Sequence, residues 1–173
     1  MKKTISIFFL TIIFNVGFAQ NLTQKIANIR SEVEKINNRS TYKVRTLNNE
    51  EFLDEIPDGG GELKAYYENG ELVKMVDKIY LSSCINITEY YIKNKRLIFA
   101  YSQGKEWFYN EKNNKFDPKR ICLKMECRFY YENSKLIKSI LNGRTRCSGE
   151  PNVAWAKNYI DNFNGYQKKL RSK

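Results

Sequence analysis

Histidine is absent from all 173 residues. That removes the commonest general base and the commonest metal ligand. It also rules out a Ser-His or Cys-His nucleophile pair. No Gly-x-Ser-x-Gly elbow is written in the chain, which argues against the strand-to-helix serine of the hydrolases. Glycine forms a single run, Gly59-Gly60-Gly61 after Pro57-Asp58. It lacks the Gly-Lys-Ser/Thr ending of a phosphate loop and does not lead into a helix, so it reads as a flexible turn. The acids Asp54, Glu55 and Asp58 are too irregularly spaced for a calcium loop. Long apolar runs are missing too, apart from the first residues.

Those first residues carry an export signal. Lys2 and Lys3 precede an apolar stretch, Ile5 to Phe14, and Gly17-Phe18-Ala19 sets small residues at a cleavage site before Gln20. The pattern predicts a signal peptide over residues 1–19 and a single domain over 20–173, with a periplasmic or extracellular destination. The stretch is short for a membrane span, the alternative being an uncleaved anchor, and no later segment could cross a bilayer. Loss of Lys2 and Lys3, with no acid, lowers the net charge from +11 to +9. Such a basic protein is drawn to anionic polymers or lipid head groups. Equally, lysine is the ordinary solubilising residue of a Lys-, Asn- and Ile-rich chain, and only the tail Lys168, Lys169, Arg171 and Lys173 forms a cluster.

The cysteines are Cys84, Cys122, Cys127 and Cys147. An even count in an exported chain predicts two disulfides, with three possible pairings. A zinc site is the rival reading, but the C-x4-C spacing of Cys122 and Cys127 is not the usual knuckle and no histidine assists. A tight turn at Asn133-Ser134 would bring Cys122 near Arg146 and Cys147. This favours a Cys122–Cys147 bridge, leaving Cys84 for Cys127.

Leu22, Ile26, Ile29, Val33 and Ile36 recur at helical spacing and predict a helix over 22–37. Its stripe suits packing on a sheet or a short coiled coil. Thr41 to Leu47 reads as a strand, and Asn49 to Ile56 as a short helix with Phe52, Leu53 and Ile56 on its apolar side. Three similar stretches follow, at 61–76, 87–101 and 125–141. Each has tyrosines, a polar turn and a leucine: Tyr66-Tyr67 with Asn69-Gly70 and Leu72, Tyr90-Tyr91 with Leu97, and Tyr130-Tyr131 with Asn133-Ser134 and Leu136. Each reads as a β-hairpin, Asn69-Gly70 being a type I′ signal and the second turn one residue longer. Paired tyrosines place one ring on each face of a sheet. The insert Gln103–Arg120 is the least regular part, with Trp107-Phe108-Tyr109 as a short strand or packed loop. Trp155, Tyr159, Phe163, Tyr166 and Leu170 predict a second helix over 151–170, opened by Pro151. The sum is an α+β fold: an antiparallel meander of about six to eight strands covered by N-terminal and C-terminal helices.

The tyrosine-asparagine-glycine hairpin resembles those of MORN-like repeat proteins. It is more closely similar to a group of secreted Bacteroidota proteins with an early "GGE…YY…L.K", a central "EYY…LIF" and a late "E.RYYF…KLI" hairpin. The matching residues here are Gly60 to Glu62, Tyr66, Tyr67, Leu72 and Lys74; Glu89 to Tyr91 and Leu97 to Phe99; Glu126, Arg128, Tyr130, Tyr131 and Lys135 to Ile137. The resemblance implies architecture and carries no chemistry with it. The hairpin spacing departs from regular MORN spacing, and only the first turn keeps its glycine.

For function, the tyrosines taken as outward, Tyr66, Tyr90 and Tyr130, join Trp107 and Tyr109 as candidate ligand contacts of a non-enzymatic binding protein. Its partner would be an envelope protein or glycan. Electrostatic binding of anionic polymer is the second reading. A glycan-active enzyme with paired carboxylates from Glu89, Glu106, Asp117 and Glu126 is the third. Aligned by its tyrosines, Glu89 matches Ala65 and Phe129 and is expected to face inward. "YYIKNKRLIFAY" mixes cations and rings as single-strand nucleic-acid binders do, but it also suits an ordinary hairpin with a solvated turn. No cofactor or metal is called for.

Overall fold

A computed structural model describes the backbone of residues 4–172 and the side chains of 21–172 other than Pro118. The side chains of the expected leader, residues 1–19, lie outside the described residues. Helix α1 spans Thr4–Asn37, so it runs further toward the N-terminus than the predicted 22–37. Asn38 N–H closes its last turn on the Glu34 carbonyl at 2.9 Å. Residues 1–38 form one compact unit and residues 39–173 another. Among the described residues, no helix is long and apolar enough to cross a membrane.

The second unit is built on a seven-stranded antiparallel sheet in which every strand lies beside its sequence neighbours. The strands are β1 (Lys43–Asn48), β2 (Gly61–Glu68), β3 (Glu71–Tyr80), β4 (Cys84–Lys93), β5 (Arg96–Asn110), β6 (Lys115–Glu132) and β7 (Lys135–Gly143). A one-turn helix, α2 (Asn49–Phe52), follows β1, and α3 (Trp155–Arg171) ends the chain. The fold is therefore α+β, an antiparallel meander with a helix before it and a helix after it in sequence. Helix α2 is shorter than the predicted 49–56. Asn48 opens it with a capping box, its Oδ1 accepting from Glu51 N–H at 3.2 Å while Glu51 accepts from Asn48 N–H at 2.9 Å.

The hairpins β2–β3, β4–β5 and β6–β7 end alike. Each turns on two residues at positive φ: Asn69-Gly70, Asn94-Lys95 and Asn133-Ser134. That is the type I′ geometry whose twist matches antiparallel strands. The second turn is thus no longer than the others. Each hairpin also has a register shift shortly before its turn, at Tyr66/Tyr67, Tyr91/Ile92 and Tyr130/Tyr131. Counted from the turns, Tyr91 corresponds to Tyr66 and Tyr130, while Tyr90 corresponds to Ala65 and Phe129. The expected alignment of Tyr90 with Tyr66 and Tyr130 is one residue out. As a consequence, Tyr90 faces the core and Glu89 does not.

The core lies between one sheet face and α3. Leu63, Ala65, Met75, Tyr90, Ala100, Phe129 and Tyr131 are buried there against Tyr159, Phe163, Tyr166 and Leu170. Burying each large side chain contributes about 1.5–3 kcal/mol. Helix α3 starts at Trp155, after a turn at 152–154, and not at Pro151. Polar contacts pin it at both ends. Tyr131 Oη donates to the Ala156 carbonyl at 3.0 Å, and Arg45 donates to the Leu170 carbonyl at 2.7 Å. The arginine satisfies a carbonyl left open by the helix end and complements its dipole.

The disulfide differs from the expected pairing. Cys84 is bonded to Cys147, while Cys122 is exposed and Cys127 buried, both as thiols. The reason is where β7 stops. Gly143 has φ +76°, and a Cβ there would lie 2.0 Å from the Lys124 carbonyl oxygen, so the backbone turns away from β6 at that point. The segment 144–149 then crosses β5. Thr145 packs where Gly104 has no side chain, its Cγ2 lying 2.4 Å from the position a Cβ would take. This crossing carries Cys147 past Cys122, which sits opposite Glu106 on β5, and on to Cys84 at the start of β4. Cys127 pairs with Ser102 and Leu141 inside the sheet.

Candidate functional site

Strands β5 and β6 are the longest of the sheet, and they outrun both neighbours. Pairing with β4 ends at Cys84–Glu106, and pairing with β7 ends at Met125–Gly143. Beyond those rungs Trp107 to Ile121 forms a two-stranded ribbon, with Tyr109 opposite Phe116 and Trp107 opposite Ile121, and Leu123 lies on β6 at its base. The insert expected to be irregular is therefore mostly strand. A register shift between Trp107 and Phe108 accommodates the extra residues 118–120 on β6. An Asx turn shapes that bulge, Asp117 Oδ1 accepting from Lys119 N–H at 2.9 Å.

The ribbon leaves apolar side chains in solvent. Phe108, Tyr109 and Phe116 are each 38% exposed, Ile121 43% and Leu123 47%. Tyr109 and Phe116 contact each other with ring centres 5.1 Å apart. Cations lie on the rings: Arg120 is 3.7 Å from the Phe108 centroid, and Arg146 is 5.5 Å from that of Phe116. Glu106 holds Arg146 in place, accepting from its backbone N–H at 2.6 Å and from Nε at 3.0 Å. Burial pushes the Glu106 carboxyl up, but the Arg146 N–H and guanidinium outweigh it and hold the group below its usual value.

The expected contacts part company. Trp107 and Tyr109 lie on the ribbon with Phe108, Phe116 and Ile121. Tyr66 is half-buried on the sheet face away from α3, edge-on to Tyr42 at 5.8 Å. Tyr130 lies on that same face but is buried, stacked with Phe99 at 4.8 Å. Tyr90 is 0% exposed in the core. Tyr90 and Tyr130 are thus not surface contacts: the turn sets Tyr90 on the inward face, whereas Tyr130 keeps the expected face but is buried beside Phe99.

The four acids considered for catalysis are each engaged separately. Glu89 meets Lys74 at 2.6 Å and accepts from Tyr91 Oη. Glu126 accepts from Tyr101 Oη and meets Arg128 at 3.3 Å. Glu106 holds Arg146, and Asp117 holds the ribbon bulge.

A second site was not foreseen. Between the sheet and α3 lies a cavity of about 500 Å³. Its floor is a line of polar residues on the otherwise apolar face: Asp77 opposite Thr88, Thr88 opposite Ser102, and Asn86 two positions along β4. Trp155, Tyr159 and Tyr166 form the wall from α3. Asp77 Oδ1 accepts from Thr88 N–H at 3.1 Å, and Oδ2 accepts from Tyr90 and Tyr166 hydroxyls at 2.9 and 3.0 Å. Burial raises the Asp77 carboxyl to about 6 despite these donors. The same burial, with Asp77 beside them, raises both tyrosines above their ordinary range. The signal was present in the alternation of β3 and β4, which sets Asp77 between Met75 and Ile79, and Asn86 and Thr88 between Cys84 and Tyr90, all on the inward face.

Compared with protein-family models, with curated proteins and with solved structures, the chain matches none of them.

Proposed function

We propose that the protein is a non-enzymatic binding module of the cell envelope or exterior, and that it grips another envelope component, protein or glycan, with the β5–β6 ribbon. The observation that carries this reading is the exposed apolar set Phe108, Tyr109, Phe116, Ile121 and Leu123, on both faces of strands that outrun their neighbours. Exposed apolar groups gathered on one projecting element mark interaction surfaces. Rings flanked by arginines match the composition of binding hot spots. The Cys84–Cys147 bridge and the Glu106–Arg146 contacts brace the ribbon's base.

The test is retention of envelope fractions on the immobilised, oxidised protein at low and then high salt, beside a Phe108→Ser/Phe116→Ser/Ile121→Ser variant. The reading expects a component that survives high salt on the parent and is lost from the variant. Equal retention by both would defeat it. Material that elutes from both as salt rises would favour binding of anionic polymer through the net +9 charge expected after leader removal.

A further inference from the structure

The cavity beneath α3 stands apart from the rest of the molecule in its charge. The chain has 30 lysines and arginines against 19 acids, yet among the described residues no lysine or arginine lines this cavity, while Asp77 and Glu55 both do. Asp77 is 3% exposed, and among the described residues no cation bonds it; its partners are the amide N–H and hydroxyl of Thr88 and two tyrosine hydroxyls. A buried carboxylate held only by neutral donors is costly in its charged form. Beside it, Asn86 Oδ1 is buried and accepts no hydrogen bond, although its amide nitrogen donates to Ser148 Oγ at 3.3 Å. A buried acceptor left in this state costs about 1–3 kcal/mol. The third component is aromatic, with the rings of Trp155, Tyr159 and Tyr166 walling the same space.

We infer that this cavity is a binding site for a small organic amine, held as its ammonium ion over the polar floor. An ammonium brings what the floor lacks. Its positive charge compensates Asp77, and an N–H reaches Asn86 Oδ1. The ring faces attract the cation and pack its methylenes. Exposed Glu55 and Ile56, which also line the cavity, suit a second amine and its alkyl stem. A volume of about 500 Å³ falls within the ~300–1,000 Å³ range of small-ligand sites. An anionic ligand would meet two acids and no cation, so this site differs in sign from the chain's net charge.

The experiment is calorimetric titration of the full oxidised chain with 1,4-diaminobutane, with 1,4-butanediol as the neutral molecule of the same length. Saturable one-to-one binding of the diamine is expected, at least ten-fold tighter than the diol. Asp77→Asn removes the charge and Asn86→Leu removes the acceptor, and each should weaken diamine binding ten-fold or more. A Glu62→Gln variant on the far sheet face should leave it unchanged. Far-UV circular dichroism decides which of the two floor variants remains folded, and a ten-fold loss in whichever does upholds the site. No saturable binding of the diamine, equal binding of the diol, or undiminished binding by the folded floor variants would overturn it.

Discussion

Strands β5 and β6 pass through two environments in one run. From Phe99 to Glu106 β5 lies between β4 and β6, and from Met125 to Tyr130 β6 lies between β5 and β7; Ala100, Ser102 and Phe129 are buried on the α3 side and Tyr130 on the other face. From Trp107 to Ile121 the strand pairing is between these two alone, and residues of the same types stand in solvent. Two register shifts, at Gly104/Lys105 and Trp107/Phe108, fall at the boundary, but the residue types are the same on either side of it. What changes is the number of neighbours. A phenylalanine is a core residue at 129 and a surface residue at 108 because β4 starts at Cys84 and β7 ends at Gly143, not because of anything local to either ring.

The comparison can be broken by substitution, beginning inside the sheet. Phe129→Ala should cost about 3–5 kcal/mol in urea unfolding, since the void lies under Tyr159 in a packed core. Opening the bridge at the boundary comes next. Cys84→Ser/Cys147→Ser frees a closure of 63 residues and should cost about 3–4 kcal/mol. Hydrogen exchange should rise first around Glu106, the last rung shared with β4. If exchange there stays as slow as at Ala100, the bridge is not what defends the boundary.

A smaller effect belongs to the inner face alone. The Asp77 carboxyl titrates near 3.8 when unfolded and at about 6 when folded, because burial disfavours its charge. The folded chain therefore binds that proton more tightly. Its contribution to stability is complete below about pH 4 and is lost as pH rises through about 6. The size is on the order of 2–3 kcal/mol. Asp77→Asn should flatten this part of the stability–pH curve, and an unchanged slope would show that the charge is compensated in some other way. The smallest effect is on the ribbon. Phe116→Ala should shift stability by no more than about 0.5 kcal/mol, as at ordinary surface positions. A loss near that of Phe129→Ala would mean that the ribbon is part of the folding core after all.

Much of the sheet could be read from the sequence, because alternation and turn residues are local signals. Asn69-Gly70 and Asn133-Ser134 marked their hairpins directly. The second hairpin was misaligned because its two tyrosines were matched to the others by identity, whereas the register is set by the turn at Asn94-Lys95. One position of slip exchanged the faces of Tyr90 and Glu89. The cavity floor was overlooked for a related reason. Polar residues at Asp77 and Asn86 looked like strand ends, and the strands run on through them. The ribbon's aromatics were visible in the chain, but their exposure depends on where two other strands stop. The pairing of Cys84 with Cys147 depends on a departure at Gly143 that no pattern of spacing records.

The strand order has a consequence in time. Each strand of the meander pairs with the one made just before it, so a growing chain can zip its sheet in sequence, with only short loops to close. Cys147 is made after all seven strands. In the finished sheet Cys127 lies between Ser102 and Leu141, and the helix that covers that face, α3, is made later still. An oxidant that arrives late finds Cys84 at the start of β4 and Cys147 on the segment crossing toward it. The sheet thus acts as a filter on oxidation: it fixes Cys127 between two inner strands while the segment after Gly143 delivers Cys147 to Cys84.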